Sequence, residues 1–162
     1  MLWKSLSDVA GRGAAIVQCV CFMDVFSNHV LQIQQCIGPS MLPTFNIRGD
    51  ILVTERLSVK LGKIRVGDVV MARSPSDPRM VVCKRILGLE GDTITVVSDK
   101  GGSAKVKIPK GHVWLQGDNF HKSRDSREYG PVPSALLQGR VFYRIWPPQG
   151  WGFVGRIPSQ SV

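Results

Sequence analysis

The sequence predicts a mainly β fold, antiparallel and partly closed, with one N-terminal helix. Three observations carry that expectation. After residue 33, helix-length periodicity gives way to short runs rich in Val and Ile; these runs follow one another with no helical pattern between them; and Gly-Asp pairs punctuate them at Gly49-Asp50, Gly67-Asp68, Gly91-Asp92 and Gly117-Asp118. A chain of 162 residues is one ordinary domain or a small domain with an appendage. The expected organisation is an N-terminal segment over 1–35, a β domain over 36–146 and a Pro/Gly/Ser-rich tail over 147–162 that trails over the surface.

The first element is the apolar stretch from Gly13 to Ile33, long enough for a single tilted transmembrane helix over about 13–33 but interrupted by Gln18, Asp24, Asn28 and His29. Asp24 near its middle costs about 2.5–3.5 kcal/mol in a membrane. A span therefore needs a partner helix or a register that moves Asp24 off centre, and a soluble helix packed on the domain is the alternative. Lys4 and Arg12 precede the apolar part, and no small-x-small cleavage site marks a removable signal.

Strands are expected at Asp50 to Glu55, Asp68 to Arg73, Met80 to Leu87, Asp92 to Val97, Ala104 to Ile108, His112 to Gln116 and Arg140 to Trp146. The segment from Asn119 to Gly130 is a dense polar loop between apolar elements. Ordering it costs conformational entropy, so order there requires internal ion pairs.

Composition constrains function only loosely. A net charge of +9, from 21 Lys and Arg against 12 Asp and Glu, admits anionic lipid or nucleic acid without choosing between them. Basic residues alternate with aromatics only along Arg140 to Trp146, and no wider strand platform of that kind is visible, so nucleic-acid binding is not expected. Cys19, Cys21, Cys36 and Cys83 lack the spacing of a zinc knuckle or a dense disulfide scaffold. Buried free thiols are the simplest reading, with Cys36 and Cys83 the pair to test for a disulfide.

Ser40 lies in Ile37-Gly38-Pro39-Ser40-Met41-Leu42-Pro43-Thr44, where one glycine and two prolines restrict the backbone around a hydroxyl. It can be an N-cap, a nucleophile or both, because a turn with free N–H groups can also hold an oxyanion. Leu42 replaces the last glycine of a G-x-S-x-G elbow, which argues against an α/β-hydrolase. The hydroxyl needs a base. His29, His112 or His121 with Asp118 or Asp125 is one source, but His29 belongs to the N-terminal stretch and His112 begins a strand. Lys84 is the better candidate: period-two alternation places it with Met80, Val82 and Ile86, and an amine among apolar neighbours loses its proton more easily. An edge-strand lysine reaching solvent remains the bland alternative.

Four segments in order resemble the boxes of the type I signal peptidases, and most closely their mitochondrial inner-membrane branch. They are Gly38 to Thr44; Arg65-Val66-Gly67-Asp68-Val69-Val70; Lys84-Arg85-Ile86-Leu87-Gly88-Leu89-Glu90-Gly91-Asp92; and Gly117-Asp118-Asn119 through Ser123, Asp125, Ser126, Arg127 and Gly130. The resemblance implies a serine endopeptidase with a signal-peptidase β fold, in which Ser40 attacks the scissile carbonyl and Lys84 takes its proton. Ser123 would hydrogen-bond the amine, with Arg85, Asp118, Asp125 and Arg127 as charged supports. It implies no metal or organic cofactor. It also implies precursors with N-terminal presequences as substrates, membrane lipid and a related peptidase subunit as partners, and a single-pass anchor in the mitochondrial inner membrane with the catalytic domain in the intermembrane space. Asp24 would then face a helix of that second subunit. Gly38 departs from bacterial members, which often have an oxyanion-binding serine at that position. A partner subunit that has lost activity, and a self-cleaving Ser/Lys repressor domain, are the alternatives; the few residues before Gly38 leave no room for a DNA-reading module.

Overall fold

The computed structural model describes residues 2–97 and 103–156. Helix α1, Leu2–His29, is followed by strands β1 Leu31–Cys36, β2 Asp50–Glu55, β3 Val69–Arg73, β4 Val81–Gly88, β5 Thr93–Val97, β6 Ser103–Lys107, β7 His112–Gln116, β8 Val132–Pro133, β9 Leu137–Trp146 and β10 Gly152–Phe153. The short helices α2, Leu57–Lys60, and α3, Ser126–Tyr129, lie in connections. The main sheet runs β1-β2-β9-β3-β4-β7-β8, with β10 added to β9, and β5 and β6 form a separate two-stranded sheet. Every pairing is antiparallel, and the main sheet is partly closed as expected.

Curling creates two apolar clusters that share strand β3. Val69 and Met71 join Cys36, Met41, Phe45, Leu52, Cys83 and Val141, whereas Val70 and Ala72 join Ile86, Val113, Leu115, Val132 and Leu137. Both faces of β3 are therefore buried, which is why its sequence is a continuous apolar run rather than an alternating one. The long strand β9 knits the sheet: Leu137 to Val141 pair with β3, and Arg140 to Trp146 pair with β2.

The structure differs from expectation at the N-terminal element and at the tail. The N-terminal helix ends at His29, because residues 31–36 turn into an edge strand paired with β2. Among the described residues no helix is long and apolar enough to cross a membrane; Gln18 and Asp24 dilute the apolar content of α1. Among the described side chains of α1, Ile16, Val17, Val20, Phe22, Met23 and Val25 are exposed rather than packed on the domain. The tail, finally, does not trail as far as residue 156. Residues Pro148–Gly150 form a 3-10 turn, β10 pairs with β9, Val154 packs on the first apolar cluster, and Arg156 pairs with buried Asp68 at 2.5 Å. Residues 157–162 lie outside the described residues.

Leu52 is fully buried at the centre of the first cluster. Leu52→Ala is expected to lower stability by about 2–5 kcal/mol, read as a reduced urea midpoint at unchanged slope.

Candidate active site

Strand β4 presents two cations in succession, and pleating sends them to opposite faces. Lys84 is only 3% exposed and Arg85 likewise 3%. The Lys84 amine donates to Ser123 Oγ at 2.9 Å. Ser123 Oγ donates in turn to Asp125 Oδ2 at 2.6 Å. Asp125, with no exposed surface, also accepts from the Gly117 N–H at 2.9 Å and from Arg127 Nε and a terminal guanidinium nitrogen, both at 2.9 Å. Arg127 lies 4.1 Å over the Phe120 ring. The polar loop is thus ordered by internal ion pairs, and Asp125 additionally caps α3 through the Arg127 N–H.

These contacts set the charge states. Burial pulls the Lys84 pKa below its ordinary value; the nearby Asp125 carboxylate opposes that shift without cancelling it, and Arg127 adds to it. For Asp125, burial favours the neutral acid, but the bonds from Arg127, the Gly117 N–H and Ser123 overcome it and hold the carboxyl low. An ionised Asp125 takes the Ser123 proton in its hydrogen bond. Ser123 therefore receives an N–H from Lys84, and the lone pair of a neutral Lys84 amine stays uncommitted.

Ser40 stands half-buried in a 3-10 turn, Pro39–Met41, that contacts β4. As a residue of the first turn, it has an N–H without an intrahelical acceptor. Its carbonyl accepts from the Asn119 N–H at 3.0 Å, and the Asn119 side chain donates to the Pro39 carbonyl at 3.0 Å. The turn and the loop carrying Ser123 are thereby fastened together. Gly117 permits this approach, because a Cβ there would collide with the Ser40 carbonyl oxygen and with Ser123 Oγ. Among the described residues no hydrogen bond joins Lys84 directly to Ser40.

On the other face of β4, Arg85 grips Asp118 through two bonds of 2.8 and 2.7 Å. Its remaining terminal nitrogen donates to the Gly67 carbonyl at 2.8 Å and to the Gly155 carbonyl at 3.4 Å. Thr44, at the end of the Ser40 segment, donates to Asp118 at 2.5 Å. The sequence reading singled out Arg85 and Asp118 but missed Thr44, Asn119 and Gly117 as the pieces that join the segments. All three lie inside segments it had marked, and an amide or hydroxyl beside a predicted nucleophile turn was the available signal. The histidines fall elsewhere: His29 contacts Lys60, His112 the Lys110 carbonyl, and exposed His121 the Phe120 ring.

Comparison with known proteins adds an independent observation. The family model described as "Signal peptidase, peptidase S26" matches residues 9–101 and 97–146. The chain is 46% identical over 154 residues to the mitochondrial ATP-independent inner membrane protease subunit 1a of Arabidopsis thaliana, covering 93% of this chain and 92% of that one. It is 43% identical over 144 residues to the human mitochondrial inner membrane protease subunit 1, covering 88% and 86%. Subunit 2 of the Saccharomyces cerevisiae protease is 36% identical over 132 residues, covering 78% and 74%.

Asp125→Asn would remove the buried charge that accepts from Arg127, the Gly117 N–H and Ser123. A loss of about 3–5 kcal/mol is expected near neutrality, by chemical denaturation. A carboxyl held low contributes stability above the ordinary Asp value of 3.8 and loses it as pH falls through the lower folded value, so the gap between variant and parent should close in that acidic window.

Proposed function

Since the chain belongs to the signal peptidase family, peptidase S26, and is a serine peptidase, we propose that Ser40 is its nucleophile and Lys84 its general base. The observation that carries this assignment is a nearly unexposed amine whose hydrogen bond to Ser123 uses an N–H, in a loop fastened to the Ser40 turn. Neutral Lys84 takes the Ser40 proton as the hydroxyl oxygen attacks the scissile carbonyl. The tetrahedral oxyanion is held by backbone N–H groups of the Ser40 turn. The lysinium then protonates the leaving amine, and the same amine activates the water that hydrolyses the acyl-enzyme. Ser123 and Asp125 orient Lys84, Arg127 fixes Asp125, and the Arg85–Asp118 pair with Thr44 holds the opposite side of β4.

The relatives' names place those proteins at the mitochondrial inner membrane. In this chain the β domain, from β1 through the docked residues up to 156, is the catalytic unit, and the enzyme removes sorting or signal peptides from precursors delivered to the intermembrane space. The exposed apolar residues of α1 support membrane association. Because α1 is not apolar enough to cross by itself, the single-pass arrangement with the catalytic domain in the intermembrane space rests on packing against a related subunit. The occurrence of subunit 1 and subunit 2 relatives supports such a heterodimer.

The test is cleavage of presequence peptides by the full chain in detergent, with and without the related subunit. Ser40→Ala and Lys84→Met should each lose at least about 1,000-fold in kcat, and survival of cleavage in either would overturn the dyad. In the parent the acidic limb of kcat/KM should lie below the ordinary lysine value of 10.5.

Stability should move the other way. A lysine with a lowered folded pKa penalises the native state fully below that pKa, and the penalty disappears as pH rises toward 10.5. Lys84→Met is therefore expected to be about 0.5–2 kcal/mol more stable than the parent near neutrality, with the advantage shrinking at alkaline pH in paired denaturation curves.

A further inference from the structure

Away from the Lys84 face, two buried thiols meet. Cys36 ends β1, where it pairs with Asp50, and Cys83 precedes Lys84 in β4. Three strands separate β1 from β4 in the main sheet, so curling brings these cysteines together. Their side chains interact with each other and are 6% and 7% exposed within one buried cluster, which also contains Met41, Phe45 and Leu52. Both are free thiols. Two interacting thiols enclosed in one packed cluster need only side-chain rotation and local backbone adjustment to reach a disulfide, whose bond is about 2.05 Å long.

We propose that Cys36 and Cys83 form a dithiol oxidation site, closing to an internal disulfide by exchange with a small disulfide and so tying the strand that leads to Ser40 to the strand that carries Lys84. Cys36 attacks first. Its interaction with Cys83 holds the Cys36 thiol below the usual value, while that same interaction and burial push Cys83 up. The Cys36 thiolate attacks one sulfur of the donor disulfide, the donor S–S bond breaks and one donor thiol leaves. The Cys83 sulfur then attacks Cys36 Sγ and expels the second donor thiol. The two cysteine protons depart on the two released thiols; the dithiol is oxidised by two electrons and the donor is reduced by two. Attack requires local opening of the cluster, so exchange is slow, whereas the product is protected once formed. Cross-link formation does not depend on the peptidase assignment.

The test uses the full chain in detergent with Cys19 and Cys21, both exposed on α1, replaced by Ser to prevent cross-linking between molecules, and with Ser40→Ala to exclude proteolysis. It is equilibrated in glutathione buffers from reducing to oxidising, quenched with acid, alkylated and mapped by mass spectrometry. The expected result is a Cys36–Cys83 cross-linked peptide lacking the two thiol hydrogens, reversed by dithiothreitol, with a melting temperature about 5–15 °C above that of the reduced chain. Both thiols remaining alkylatable in the most oxidising buffer, or glutathione adducts without the internal bond, would overturn the site. In the Cys83→Ala variant a stable glutathione adduct on Cys36 is expected; an adduct confined to Cys83 in the Cys36→Ala variant would overturn the order of attack.

Discussion

The arrangement depends on an ionised carboxylate that does not itself hydrogen-bond the amine it governs. Asp125 takes the Ser123 proton in a 2.6 Å hydrogen bond, and Ser123 is left to accept from Lys84. Direct contact between Asp125 and the amine would fasten Lys84 as a cation, because an adjacent opposite charge favours the charged form. Interposing a hydroxyl gives orientation at a smaller electrostatic penalty. Arg127 completes the balance: it neutralises Asp125 from the far side and disfavours the Lys84 cation. Burial can then keep the lysine pKa low despite a nearby carboxylate.

The same strand has to be held from behind. Arg85 and Asp118 form a bidentate pair with side chains only 4% and 13% exposed, a costly arrangement unless every donor is satisfied. Thr44 and the carbonyls of Gly67 and Gly155 provide that satisfaction. These partners come from the Ser40 segment, the turn before β3 and the tail, so one guanidinium joins three regions distant in sequence. A lysine and an arginine adjacent in sequence thus stand in opposite settings, one buried with a lowered pKa and the other locked in an ion pair.

Much of this was legible in the sequence where local pattern and burial agree. The β2, β3, β4 and β7 runs are rich in apolar residues and end at turn residues, and each was found to within a residue or two. Strand β1 was missed because LQIQQC is an edge strand whose alternating Gln side chains obscure its strand character, and because it abuts a helix without a proline or glycine break. Strands β8 and β10 are two residues each, too short for any period. The tail was misjudged because Pro and Gly signalled looseness locally, while its order comes from pairing with β9 and from Arg156 on Asp68. The same gap between local pattern and tertiary partners affected the site: Ser40, Lys84 and Ser123 stand in recognisable segments, but nothing local says that Asn119 fastens the Ser40 turn or that Gly117 must lack a Cβ.

Gly38 shows how backbone geometry can decide what a residue offers. From sequence it is a missing side-chain donor next to Ser40. In the structure its φ is 123° and its ψ 162°, a region essentially reserved for glycine, and its N–H donates to the Ile47 carbonyl at 2.7 Å. A serine could not simply be placed there to restore a hydroxyl, since it would have to rotate this backbone and disturb the entry to the Pro39–Met41 turn. The turn that positions Ser40 and the absence of a side-chain donor at residue 38 are therefore one structural choice. Within the proposed mechanism it assigns oxyanion stabilisation to main-chain N–H groups, whose direction is fixed by the Asn119 bonds to Pro39 and Ser40.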